Sequence, residues 1–78
     1  MAGPSRIRLR THAELRAERR GIGLDTIEEL VLERFASRRA NAGHAAWRVE
    51  RRGVVVLFDH PVDGDETVAL VRSAWRAR

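Results

Sequence analysis

The sequence predicts an α+β domain with two N-terminal helices packed on a small antiparallel sheet, in the order β-α-α-β-β-β. Three observations predict it. Residues 6–10 alternate basic and apolar side chains. Residues 12–39 carry apolar and charged residues at helical spacing. From residue 45 the period returns to two and leads into the β-branched run Val54-Val55-Val56-Leu57-Phe58. Helices gathered on one face of an antiparallel sheet satisfy this order.

The first strand is short. Arg6, Arg8 and Arg10 fall on one side and Ile7 and Leu9 on the other, the pattern of a half-buried edge strand. Thr11 is placed to cap the next helix, with Glu14 completing a capping box. That helix is expected over about 12–20, with Ala13, Leu15 and Ala17 as a thin apolar stripe. Its own packing is too slight to hold it without a neighbouring surface. His12, Arg16 and Arg20 recur at every fourth position and share one face, a ridge suited to phosphate. Gly21 supplies the left-handed residue that ends a helix.

Asp25 or Thr26 is expected to cap the second helix, with Glu28 or Glu29 closing the box. Ile27, Leu30, Val31 and Phe35 have the spacing of a core-facing stripe. Arg38 and Arg39 are expected to end the helix, and Asn41-Ala42-Gly43 to lead out of it. Trp47 and Val49 then alternate with Arg48 and Glu50 as a strand. Arg52-Gly53 reads as a turn of undetermined type. The run 54–58 is the central strand, ended by Asp59-His60-Pro61. Asp63-Gly64 is a loop tip, 67–71 a partner strand, and Ser73-Ala74-Trp75-Arg76 closes the chain.

The chain has 78 residues, enough for one domain with a modest core. Residues 1–5 are expected as a disordered lead-in and 6–78 as the single domain. There is no cysteine, which excludes disulfides, thiolate metal sites and cysteine nucleophiles. No apolar run approaches the roughly 20 residues of a membrane helix. The first five residues lack the order of a signal peptide, so the expectation is a soluble, cytoplasmic protein without a membrane partner.

The formal net charge is +4, and all 15 basic residues are arginine. Residues 1–20 hold six arginines against two glutamates, whereas residues 21–43 are slightly acidic. Guanidinium groups bind phosphate bidentately and stack on bases. A basic half beside a neutral one suggests an anionic partner, against the plainer reading of a solvated surface.

The ridge also has a family likeness. His12-Ala13-x-x-Arg16-Ala17-x-x-Arg20-Gly21-Ile22 resembles the His-Ala-x-x-Arg-Met-x-x-Arg-Gly-Ile opening of small RelE-like toxin domains. These belong to the barnase–EndoU–colicin–RelE ribonuclease superfamily. Leu24-Asp25-x-Ile27-Glu28-Glu29-Leu30-Val31 resembles the family's second helix, and Val71-Arg72-Ser73-Ala74-Trp75 its final strand. The likeness covers most of residues 6–76. Ala17 stands where the family has a large apolar residue, and Ser73 where it has threonine.

The resemblance implies a metal-independent endoribonuclease of toxin type, acting on mRNA at the ribosome or on tRNA, and held by an antitoxin protein. No cofactor is implied. Such cleavage needs a base for the 2′-hydroxyl, cations for the phosphorane and an acid for the leaving oxygen. The candidates are His12 for proton transfer, Arg16 and Arg20 as phosphate clamps, and Ser73 at the scissile group. Arg8, Arg10, Arg48, Arg72 and Arg76 are candidates for holding RNA. The family's active sites imply that the set lies on the face shared by the final strand and the helix.

Each candidate also has a plainer reading. His12 would pack or cap, and Arg16 and Arg20 would pair with glutamates of their own helix. His60 reads as a turn residue and Trp47 as sheet packing, and His44 has no assigned role. Arg48, Arg51 and Arg52 form either a second basic patch or a solvated hairpin. Asp63, Asp65 and Glu66 make at most a weak cation site. The rival to a nuclease is a non-catalytic interaction module on the same fold, either a nucleic-acid binder or a small part of a larger assembly.

Overall fold

Val54, Val55, Val56 and Phe58 are buried because their strand lies at the centre of a five-stranded sheet with neighbours on both sides. The computed structural model describes residues 3–77. The elements are β1 (Arg6–Leu9), α1 (Thr11–Arg19), α2 (Leu24–Arg34), a 3-10 turn (Phe35–Ser37), β2 (Arg39–Ala40), β3 (Trp47–Arg51), β4 (Val54–Asp59) and β5 (Val68–Arg76). The sheet order is β1-β5-β4-β3-β2. The α+β class holds, and so does the expected order of elements but for the two-residue β2, an extra strand ahead of the three expected.

The sheet is mixed rather than wholly antiparallel. β2, β3, β4 and β5 pair antiparallel, but β1 runs parallel to β5, with Ile7 opposite Ala69 and Leu9 opposite Val71. Parallel neighbours need a long crossover. Here the whole of residues 10–67 supplies it. Two-residue hairpins can be read locally, but nothing near residues 6–9 encodes the direction of a partner some 60 residues away. The β3–β4 connection is such a hairpin. Arg52 and Gly53 both have positive φ, 51° and 79°, as a type I′ turn requires.

Both helices lie on one face. Ala17, Ile22, Ile27, Leu30 and Val31 meet Val49, Val54, Val56, Phe58, Ala69, Val71 and Ala74 in one cluster. Phe35 and Trp47 pack at its margin. The Arg38 guanidinium lies over both of their rings, 4.0 Å from one centroid and 4.2 Å from the other, and donates to the Phe35 carbonyl. Each fully buried large apolar side chain contributes roughly 1.5–3 kcal/mol, and most of those in the domain, Phe58, Ile27, Val31, Val56 and Val71, belong to this layer.

Local details depart from expectation in four places. Thr11 is the first helical residue. The extended backbone that marks a cap belongs to Arg10, which makes no side-chain cap bond. α2 likewise begins at Leu24 after Gly23, ahead of Asp25 and Thr26. It stops at Arg34, and Arg38 and Arg39 lie beyond the 3-10 turn, with Arg39 already in β2. Leu15 is 50% exposed, because only Ala13 and Ala17, one turn apart, face the sheet.

The end of α1 is as expected. Gly21 has φ 70°, its N–H donates to the Glu18 carbonyl, and the Ile22 N–H donates to the Ala17 carbonyl. This is the Schellman pattern. It also turns Ile22 into the core. Of the expected lead-in, residues 1–2 lie outside the described residues. Pro4 is buried and the Ser5 N–H donates to the Thr67 carbonyl, so residues 3–5 are packed against the end of the sheet rather than loose.

Candidate nucleic-acid interface

β1 ends where Leu9 pairs with Val71, but β5 continues to Arg76. The chain turns at Arg10 and enters α1, so the helix takes the place beside β5 that the strand has left. Backbone groups on that edge of β5 then need other partners. Arg20 Nη1 provides one by donating to the Ala74 carbonyl at 2.8 Å. Arg76 returns the contact, donating to the carbonyls of Gly21 at 2.9 Å and Arg20 at 3.4 Å.

The same stretch of β5 contains a bulge. Phe58 pairs with Val71 and Leu57 with Ser73, which leaves Arg72 as the extra residue. A bulge bends its strand and re-aims the side chains around it. Arg72 and Ser73 thereby line a cleft of about 210 Å³ together with Arg10, His12, Ala13 and Arg16. His12 and Arg16 lie one turn apart on one face of α1, beside the inward-facing Ala13.

Of the candidate catalytic residues, His12, Arg16 and Ser73 therefore converge, joined by Arg10 and Arg72. Arg20 lies outside the cleft and is engaged with the backbone of β5. Arg76 is likewise a fastener of α1. Arg8 lines an adjoining open cleft of about 540 Å³ on the uncovered face of the sheet, which shares Arg10 and Arg72 with the first. Arg48 is on β3, away from both, and pairs with Glu50 at 3.1 Å.

The cleft is positively charged. Arg10, His12, Arg16 and Ser73 make no side-chain hydrogen bond or ion pair among the described residues. Arg72 is partly neutralised by Asp59, 3.4 Å away. Asp59 also accepts the Ala46 N–H at 2.8 Å, which fixes its place at the end of β4. Nothing in the sequence around either residue signals this restraint on Arg72, because the bulge that brings residues 59 and 72 together has no local signature. The first-turn N–H groups of α1, without a side-chain cap, add to the positive potential on this side.

The remaining candidates have structural roles. The His60 ring bonds to the Glu66 carbonyl at 2.8 Å and packs edge-on against Phe35, as a turn residue would. His44 is exposed in a loop. Asp65 accepts from the Thr67 hydroxyl and N–H and pairs with Arg6 at 3.5 Å. The two Thr67 bonds, with a smaller contribution from Arg6, hold its carboxyl below the usual aspartate value. The acidic loop is thus a braced turn, and no three of His, Cys, Asp and Glu are grouped as metal donors among the described residues. No helix among them is long and apolar enough to cross a membrane.

Chemically, the cleft offers a seat for an anion with three guanidinium groups, a hydroxyl and one imidazole around it. No family model, curated protein or solved structure matches the chain.

Proposed function

We propose that the protein is a metal-independent endoribonuclease of toxin type, working in the cytoplasm on mRNA or tRNA. The observation that carries this reading is the meeting of His12, Arg16, Arg72 and Ser73 in one cleft between α1 and the bulge of β5. The resemblance of residues 12–22 to RelE-like toxins supports the same reading. In it, Arg10, Arg16 and Arg72 seat the scissile phosphate and stabilise charge on the phosphorane. The His12 imidazole takes the proton of the 2′-hydroxyl, whose oxygen attacks phosphorus. The bond to the 5′-oxygen breaks, and that oxygen takes a proton from water. The products are a 2′,3′-cyclic phosphate and a 5′-hydroxyl. An antitoxin covering the arginine face, and the ribosome as the place of action, belong to the same proposal.

The test is cleavage of RNA, free and on translating ribosomes, together with growth arrest on expression. Wild type is expected to cleave and to arrest growth. His12→Ala is expected to lower the rate at least about 100-fold, the usual contribution of a positioned acid–base group. Because His12 is exposed, the variant should keep its stability within about 0.5 kcal/mol. Equal cleavage by wild type and His12→Ala would overturn the assignment.

A second reading is a non-catalytic RNA-binding module. Two observations favour it. The cleft has a single imidazole, and the Arg20 guanidinium is bonded to the Ala74 carbonyl. Salt-dependent RNA binding without cleavage under any condition would select this reading.

A further inference from the structure

A second arginine cluster lies at the opposite edge of the sheet. β2 pairs only with Trp47 and Arg48, so the outer edge of β3 beyond Arg48 has no strand beside it. A cleft of about 700 Å³ occupies this notch, with Arg34, Arg39, Arg48, Arg51 and Arg52 around it and Glu50 as its one acidic residue. Arg48 is paired with Glu50 at 3.1 Å and Arg51 with Glu33 at 2.7 Å. Arg34, Arg39 and Arg52 are exposed and make no ion pair among the described residues. They come from three elements: the end of α2, β2 and the β3–β4 turn. Like charges held together this way repel unless an anion joins them.

The register links this notch to the first cleft. Arg39 pairs with Arg48, Arg48 with Leu57, and Leu57 with Ser73. These four residues form one row across the sheet. Three inter-strand steps make it roughly 14 Å long. It runs on the face away from the helices, since the helix-side positions are Val49, Val56 and Ala74. Leu57 and Trp75 are part-exposed there. Arginine clusters thus stand at both ends of a row that crosses the face without helices through Leu57 and Ser73.

We propose that Arg34, Arg39 and Arg52 form a second phosphate-binding site, holding the backbone of the same RNA strand whose reacting phosphate lies against His12. The strand crosses the uncovered face over Leu57, with Trp75 available for stacking a base. This inference rests on RNA being the ligand of the first cleft. Guanidinium forks match phosphate oxygens bidentately. The notch itself presents no large exposed apolar side chain to anchor an acidic peptide, since Val49 is buried. Single-stranded nucleic acid is bound by this combination of a basic track and an aromatic platform.

The test compares wild type with the triple variant Arg34→Gln, Arg39→Gln, Arg52→Asn. Asparagine is chosen at 52 because it tolerates positive φ. Fluorescence anisotropy over a salt series is measured with a long single-stranded RNA, a dinucleotide and polyglutamate. Thermal melting checks that the variant is folded. The triple variant is expected to bind the long strand at least tenfold more weakly. Its salt slope should fall by about 2, at roughly 0.7 for each phosphate of a single strand that is no longer neutralised. The dinucleotide, too short to reach the notch, should bind both proteins alike. Unchanged binding of the long strand would overturn the second site while leaving the cleft at His12 untouched. Wild type that binds polyglutamate in preference to RNA would overturn it in favour of an acidic protein partner. Binding of the long strand that depends on the three arginines, without any cleavage, would support the second site and count against the nuclease.

Discussion

Arg76 donates to the backbone carbonyl of Arg20, while Arg20 donates to the carbonyl of Ala74 on the strand that carries Arg76. The two side chains lace the end of α1 to the half of β5 that has β4 on one side and no strand on the other. Both are exposed, so each bond is worth less than a buried charged one. Arg20→Ala and Arg76→Ala are each expected to lower stability by about 1 kcal/mol. The double variant should lose less than the sum, because the contacts share one joint. Urea unfolding measures this. Unchanged midpoints in both single variants would show that the lacing adds nothing. Loss of activity in Arg20→Ala would not by itself mark Arg20 as a catalytic residue, since the same change loosens the helix that carries His12.

Asp59 restrains Arg72, and the restraint can be lifted without breaking the fold. Asp59→Asn keeps an oxygen to accept the Ala46 N–H but removes the charge that pairs with Arg72 at 3.4 Å. The freed guanidinium is then wholly available to phosphate. RNA affinity is expected to rise several-fold and the salt slope to steepen by about 0.7. Arg72→Ala should do the opposite, and more strongly than Arg16→Ala, because it leaves the Asp59 carboxylate beside the cleft without its cation. A salt titration of RNA binding for the three variants checks the order. Affinity unchanged in Asp59→Asn would show that Arg72 is not part of the phosphate seat.

Phe58 is fully buried, with its ring 6.1 Å from that of Phe35. Its removal tests how much of the domain rests on the single layer between helices and sheet. Phe58→Ala is expected to cost about 3–5 kcal/mol, comparable with the whole stability of a domain this small. The variant should be largely unfolded at room temperature by circular dichroism. Phe58→Leu should remain folded, losing about 1.5 kcal/mol or less. A folded Phe58→Ala protein with an unchanged urea midpoint would contradict a core built on this ring.

The fold is legible in the sequence wherever the signal is local. The alternation at residues 6–9, the stripe from Ile27 to Phe35 and the β-branched run at 54–58 each report their own burial. Gly21 reports the end of α1. The direction of β1 is not legible, nor is the bulge at Arg72, because both depend on pairings between distant segments. The same division runs through the candidate site. The four-residue spacing places His12 and Arg16 together on one face. It cannot show that Arg20, on the same face, reaches the carbonyl of Ala74. The caps mislead for a related reason. Thr11 and Asp25 have the chemistry of a cap, but the chain enters each helix one residue or more earlier, at Arg10 and Gly23, which lack it.

Asp65 gives the fold an acid-sensitive joint. Its carboxylate accepts the Thr67 hydroxyl at 2.6 Å and the Thr67 N–H at 2.9 Å, and these bonds favour the charged form. Its pKa in the folded state therefore lies below the ordinary aspartate value, to which it returns on unfolding. Between the two values the unfolded chain binds more protons, so stability rises with pH there. The contribution is complete above the ordinary value and is lost as the pH falls through the folded one. Asp65→Asn should accordingly show a shallower loss of stability than wild type below about pH 4. Thr67→Val, which removes the largest cause, should raise the Asp65 pKa more than Arg6→Ala, which removes only a screened surface charge. Carbon-detected NMR titration of the carboxyl reads these shifts directly. An Asp65 pKa at or above the ordinary value in the folded wild type would refute the account.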